Sequence, residues 1–332
     1  MPLTVATIGR ELNRPECVLT HSSGLVFVSN WASLGGVSVV DASGQCSNLF
    51  CAGVKHPLRP NGIALESGGT FLLAHLGETE GGVFRLGQHG KIQPVVTHAD
   101  GVPLPPTNFI TLDALDRLWI TVSTTKIPRA SDYRSSACTG FIALAEPGES
   151  NARIVARELG YTNECFVDLI QSAVFVNETF ARRLTRFDLA SDGSLSNRST
   201  VTQFGTGVFP DGVTLDEDGN CWIASIVSNQ IIKVSPVGEQ MLILEDSDAD
   251  FVARAEKAYQ ANRMGPEHLG STGRARLKNT SSIAFGGPDR TTAYVGNLLD
   301  NCVYHFDAGV VGRAPVHWET PLGHLESYID CG

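Results

Sequence analysis

The stretch PDGVTLDEDGNCWIAS, residues 210–225, reads as two short strands joined by a tight turn. Val213 and Leu215 alternate with polar neighbours, the two-residue period of a strand. The Asp/Gly-rich step at 216–220 separates this run from a second one beginning at Cys221, which is hairpin chemistry. A calcium loop is a poorer description of DEDGN, because its Gly is misplaced and the Glu at the twelfth position is missing.

The phrase occurs six times. The other copies are PECVLTHSSGLVFVSN from Pro15, PNGIALESGGTFLLAH from Pro60, TNFITLDALDRLWITV from Thr107, TNECFVDLIQSAVFVN from Thr162 and TSSIAFGGPDRTTAYVGN from Thr280. Their second residues are Glu16, Asn61, Asn108, Asn163, Asp211 and Ser281, spaced by 45, 47, 55, 48 and 70 residues. Each hairpin leaves room for two further strands, as in GFIALAE (140–146) followed by ARIVARE (152–158). Four strands per repeat and six repeats predict an all-β, six-bladed β-propeller forming one domain over 1–332. One helical insertion is expected between blades five and six. In 249–264, Phe251, Val252, Ala255, Ala258 and Tyr259 fall at helix spacing behind Asp248 and Asp250.

The first strand of each blade lines the central channel, and the second residue opens that strand. Six polar side chains are therefore expected at one mouth of the channel. Taken singly, PNG and PDG are turn sequences whose Asn or Asp bonds its own backbone. As a set, a Glu, an Asp and three Asn on one axis need a positive partner, because neighbouring carboxylates repel. Carboxylate and amide oxygens are the ligands a hard divalent cation prefers. Strand direction places the long segments 124–139 and 246–277 at this same end, with the helix either a lid or a rim element.

Composition narrows the partners. A net charge of −10 and a pI near 5.4 argue against nucleic acid and anionic membranes. No apolar run approaches the roughly 18 residues that span a bilayer. The start MPLTVATIGRELNRPE has no basic or apolar leader region, so the expected compartment is the cytoplasm. Eight cysteines fit no zinc spacing, and in that compartment the neighbouring Cys46 and Cys51 are expected as thiols. Oligomeric state stays open.

These residues resemble the SMP-30/gluconolactonase/luciferin-regenerating-enzyme family over about 12–307. The likeness is sharpest at RPECVL…GLVFVSN, RPNGIAL, FPDGVTLDEDGNCWIAS and NTSSIAFGGPDRTTAYVGN. That family comprises six-bladed propellers, among them lactonases and phosphotriesterases. The resemblance implies a metal held by Glu16, Asn163 and Asp211, with Asn108 and Asn61 contacting substrate. It departs at Pro106 and Phe109, where sugar-lactone members carry an Arg and an Asp, and at Glu164, where Gly is usual. Phe109 is then a candidate substrate contact, and apolar lactones or esters are expected over aldonolactones. The expected activity is divalent-metal-dependent opening of a lactone or cleavage of a small ester. Asp211 is the candidate catalytic base, and calcium the first-choice metal ahead of zinc, magnesium or manganese. The alternatives are a phosphotriesterase-like hydrolase at the same metal, and a non-catalytic propeller that binds a ligand or protein.

Overall fold

A computed structural model describes residues 3–329. Six sheets form the blades, each with four antiparallel strands. Their inner strands are Val18–Thr20, Pro60–Glu66, Phe109–Leu112, Thr162–Asp168, Phe209–Leu215 and Thr280–Gly286, the six copies read from sequence. In blades one to five the three strands that follow pair outward in chain order. Blade three gains a further short pair, His98–Ala99 and Val102–Pro103, on its outer edge.

Blade six is completed differently. Its outer strand is the N-terminal Ala6–Ile8, which pairs antiparallel with Val303–Asp307 at Ala6↔His305, Thr7↔Tyr304 and Ile8↔Val303. The first strand of the described residues thus closes the ring. Three residues offer too little alternation to announce this in the sequence.

Period-2 patterning explains how the blades pack. Along Thr70–His75, Phe71 and Leu73 point into the cluster shared with blade one, while Leu72 and Ala74 point into the one shared with blade three. The second strand of blade one, Val26–Asn30, is buried on both faces and opens on three apolar residues. Among the described residues, one hydrophobic cluster fills each of the six blade-to-blade interfaces. Hairpin turns are fixed by buried acids. Asp216 accepts from Asn220 N and from the Trp222 indole at 3.0 Å, and Asp113 does the same for Arg117 N and Trp119 Nε1 at 2.9 Å. DEDGN is therefore a blade hairpin turn.

The helix, α1 (Ala249–Gln260), lies between blades five and six and is capped by Asp248, whose carboxylate accepts from Asp250 N and Phe251 N. A seventh cluster, comprising Tyr161, Phe180, Phe209, Phe251, Ala255 and Tyr259 among others, joins α1 to the entry end of the blades. At the opposite end, residues 313–325 run beneath the channel. Arg313 N bonds Leu215 O and its guanidinium pairs with Asp168. Thr320 O accepts from His21, Pro321 O accepts from Gly68 N, and Leu322 and Leu325 are buried against blades one and two. The seven described cysteines are free thiols, and Cys331 lies outside the described residues. Among the described residues no helix is long and apolar enough to cross a membrane.

Candidate functional site

The inner strands do not begin as turns. In blades two, four, five and six the ladder slips between Pro60/Ile63, Thr162/Cys165, Pro210/Val213 and Thr280/Ile283. Each slip falls on the second residue of the repeat and the one after it. A bulge leaves residues out of the ladder and re-aims their side chains. The glycines of PNG and PDG have a separate reason. A Cβ on Gly62 would come within 2.7 Å of Phe109 Cα, and one on Gly212 within 2.3 Å of Ser281 O. They let neighbouring inner strands touch at the axis.

Glu16, Asn61, Asn108, Asn163 and Asp211 consequently line one cavity of about 50 Å³ at the channel mouth. Asn61 Nδ2 donates to Glu16 Oε1 at 2.8 Å and to Asn108 O at 3.0 Å. Asn108 Nδ2 donates to Asn163 Oδ1 at 2.6 Å, Asn163 Nδ2 to Thr179 Oγ1 at 3.0 Å, and Thr179 to Pro210 O at 2.8 Å. This chain of bonds orients the amides across blades one to five. Ser281, at the sixth position, bonds Glu16 O at 3.0 Å and is absent from the cavity wall.

Phe109 is placed elsewhere. With Glu164 and Cys17 it lines a second, lower cavity of about 90 Å³. Phe109 therefore gives the upper cavity no apolar wall for a substrate. Burial pushes the Glu164 carboxyl up to about 8, against the Val213 N–H that donates to it at 3.1 Å and favours its anion.

Several acceptors around the upper cavity lack donors. Among the described residues none hydrogen-bonds the Asp211 side chain, and burial with Glu16 and Glu164 nearby pushes its carboxyl well above the usual range, opposed by Arg14 and Arg129. Asn61 Oδ1 is sealed and has no partner among the described residues. Glu16 Oε2 lies 2.9 Å from Arg14 Nη2, an ion-pair distance, yet no donor is aligned on it. Buried acceptors without donors are a cost that a hard cation removes. The donor set fits one: two carboxylates plus amide oxygens. Among the described residues no three His, Cys, Asp or Glu gather to hold a metal ion, so the amides would be required.

Several lining residues were not legible in the sequence. Arg14 stands two residues before Glu16, with its guanidinium 4.4 Å over Trp31. Arg129 and Tyr133 come from segment 124–139, Tyr161 precedes the fourth inner strand, and Leu269 comes from 246–277. Both long segments therefore reach the site. The only available signal was their placement at this end. Arg14 and Tyr161 hold left-handed backbone, φ 54° and 71°, sparsely populated conformations that recur at functional sites.

A sequence model of the SMP-30/gluconolactonase/LRE-like region matches residues 54–245, more than half of the chain. The chain belongs to this family. As a member of the SMP-30/gluconolactonase/LRE-like family, it also aligns with Protein STRICTOSIDINE SYNTHASE-LIKE 4 of Arabidopsis thaliana, 26% identical over 223 residues. The alignment takes in 65% of this chain and spans 57% of that relative's length. Among solved structures, a luciferin-regenerating enzyme superposes with a TM-score of 0.67 at 18% identity, covering 96% of this chain and 99% of that one. A gluconolactonase from Xanthomonas campestris gives 0.66 at 14%, covering 91% and 89%. A calcium-binding regucalcin from Agrobacterium tumefaciens gives 0.63 at 17%, covering 95% and 97%. At these identities the likeness is one of fold.

Proposed function

We propose that this family member is a divalent-cation-dependent hydrolase that opens a lactone or cleaves a small ester at the channel mouth. The observation that carries the reading is the convergence of Glu16, Asn61, Asn108, Asn163 and Asp211 on one small cavity with donor-poor oxygens. Glu16, Asn163 and Asp211 would hold the cation, calcium being the first choice. When bound it polarises a carbonyl oxygen. Family membership and the calcium-binding regucalcin and gluconolactonase neighbours support the choice.

Asp211 is the base in this scheme. A nearby positive charge favours its ionised form, and a carboxylate oxygen then takes one proton from the attacking water. The water oxygen bonds the acyl carbon, the ring C–O bond breaks, and the same proton passes from Asp211 to the departing oxygen. Asn108 and Asn61 are amides already oriented by the inter-blade chain and would fix the substrate's polar edge. About 50 Å³ accommodates an ion and a few waters. A lactone ring is larger than that, so part of the lining has to move aside for it to enter.

Calorimetric calcium titration and lactone hydrolysis by purified protein test the reading. Glu16→Gln and Asp211→Asn are each expected to weaken calcium binding at least tenfold and abolish hydrolysis, with the melting transition retained. Unchanged calcium affinity in both variants would remove the proposed centre.

A further inference from the structure

Arg129 opens a short 3-10 turn, Arg129–Asp132, in the segment 124–139. The turn is fastened from below: buried Asp132 accepts from Thr124 at 2.5 Å, and Thr139 Oγ1 lies within hydrogen-bond distance of both Asp132, at 3.0 Å, and Thr124, at 2.8 Å. The guanidinium is thus carried to the cavity by a built support. Its Nη2 donates to Asn108 Oδ1 at 3.2 Å and to Ser123 Oγ at 3.3 Å, both neutral, and its centre lies 5.6 Å over the Tyr161 ring. Nε is sealed from solvent and has no partner among the described residues. Among the described residues no carboxylate lies within ion-pair distance of Arg129, whereas Arg14 beside it is paired with Glu16.

Arg129 is only partly exposed, and a guanidinium largely withdrawn from water is ordinarily paired with an anion, whereas the charges of Glu16 and Asp211 reach this one only from beyond ion-pair distance. Two neutral acceptors leave most of this one's five donors unused. Its planar fork matches a carboxylate, which accepts two parallel bonds from it. Charge counting points the same way. Glu16 and Asp211 would offset a divalent cation, leaving Arg14 and Arg129 as an excess of positive charge in the cavity.

We propose that the site recognises a carboxylate-bearing lactone or ester, with Arg129 binding the substrate's carboxylate. The inference rests on the hydrolase reading above for the reacting group, but not for the anion. It replaces a preference for apolar substrates with one set by charge, supplied from the loop rather than from position 106. Arg129 is a specificity residue here, since it touches the substrate away from the scissile bond.

The test uses the full chain loaded with calcium. Hydrolysis of γ-butyrolactone is compared with that of its γ-carboxylate, and glutarate binding is measured by calorimetry against dimethyl glutarate and inorganic phosphate. The wild type is expected to favour the carboxylate lactone at least tenfold in kcat/KM and to bind glutarate but neither dimethyl glutarate nor phosphate. Arg129→Gln should lower that ratio at least tenfold and abolish glutarate binding, while Arg129→Lys keeps part of both. Circular dichroism checks that both variants are folded, and if Gln disrupts the fold the Lys variant carries the comparison. A ratio near one in the wild type, a ratio unmoved by either variant, or phosphate binding as tight as glutarate overturns the proposal. If neither lactone is hydrolysed, the hydrolase reading fails, and glutarate binding alone decides this one. Loss of that binding on changing Arg129 supports it, and absent or Arg129-independent binding overturns it.

Discussion

His317 borders the lower cavity beside Arg313 and Pro315, with Nε2 sealed and unpartnered. Burial, with His21 nearby, pushes its ring down to about 4, partly opposed by the Thr20 carbonyl. Below the ordinary histidine value near 6.5 the unfolded chain takes up a proton that the folded chain refuses. Stability from this residue is complete above about pH 6.5 and is lost as pH falls toward 4, at up to about 1.4 kcal/mol per unit. His317→Gln is expected to flatten that acid limb in denaturant titrations at pH 7, 6, 5 and 4. Equal slopes in both proteins would sink the assignment. At this scale the sequence was unevenly informative. Glu16, Asn163 and Asp211 could be located because equivalent positions in a repeat share a direction in space. Arg129 could not, because it sits in an irregular segment where no period ties a residue number to a side of the chain. Phe109 shows the limit of the repeat itself: one residue beyond the marked position, the side chain serves the next layer down.

Among the elements, α1 was legible as a helix but not as lid or rim. Its contacts favour the rim. Arg182 and Glu256 form an ion pair that is about nine-tenths buried, and Glu256 also accepts from Gly207 N at 2.9 Å. Arg182 lies 3.9 Å over Tyr259, whose hydroxyl donates to Phe180 O at 2.5 Å. Breaking a buried pair from one side costs about 3–5 kcal/mol. Glu256→Ala should therefore lower Tm by several degrees while calcium affinity stays within twofold. Altered KM with an unchanged melting curve would mean that α1 opens and closes after all. The element facing the site most directly is the 124–139 segment, which carries Arg129 and Tyr133. The bulged strand entries also belong to this scale. PNG and PDG look like turns in isolation, and only the neighbouring inner strand, a long-range partner, turns them into axial close contacts.

Across the whole molecule, stability is distributed over six similar interfaces, and five of them join blades adjacent in sequence. The sixth depends on Val303 meeting Val18, Val26, Val28 and Val40, and on Leu12 from the segment after the closing strand. Deleting residues 3–9 is expected to lower Tm by at least about 10 °C and to expose the Val303–Asp307 edge, which invites pairing between molecules. Size-exclusion chromatography should then show dimers or larger species. A monomer with wild-type Tm would show the closing strand to be dispensable. Fold class was legible at this scale because six copies average out local ambiguity. Closure was not, since it depends on two distant short segments.

That closure has a temporal side. During synthesis Ala6–Ile8 emerges about 300 residues ahead of its partner at Val303–Asp307. At 5–20 residues per second the strand waits roughly 15–60 s with its ladder unfilled. Blades one to five can assemble in that interval as an open arc. The ring is sealed only after the ribosome has delivered blade six.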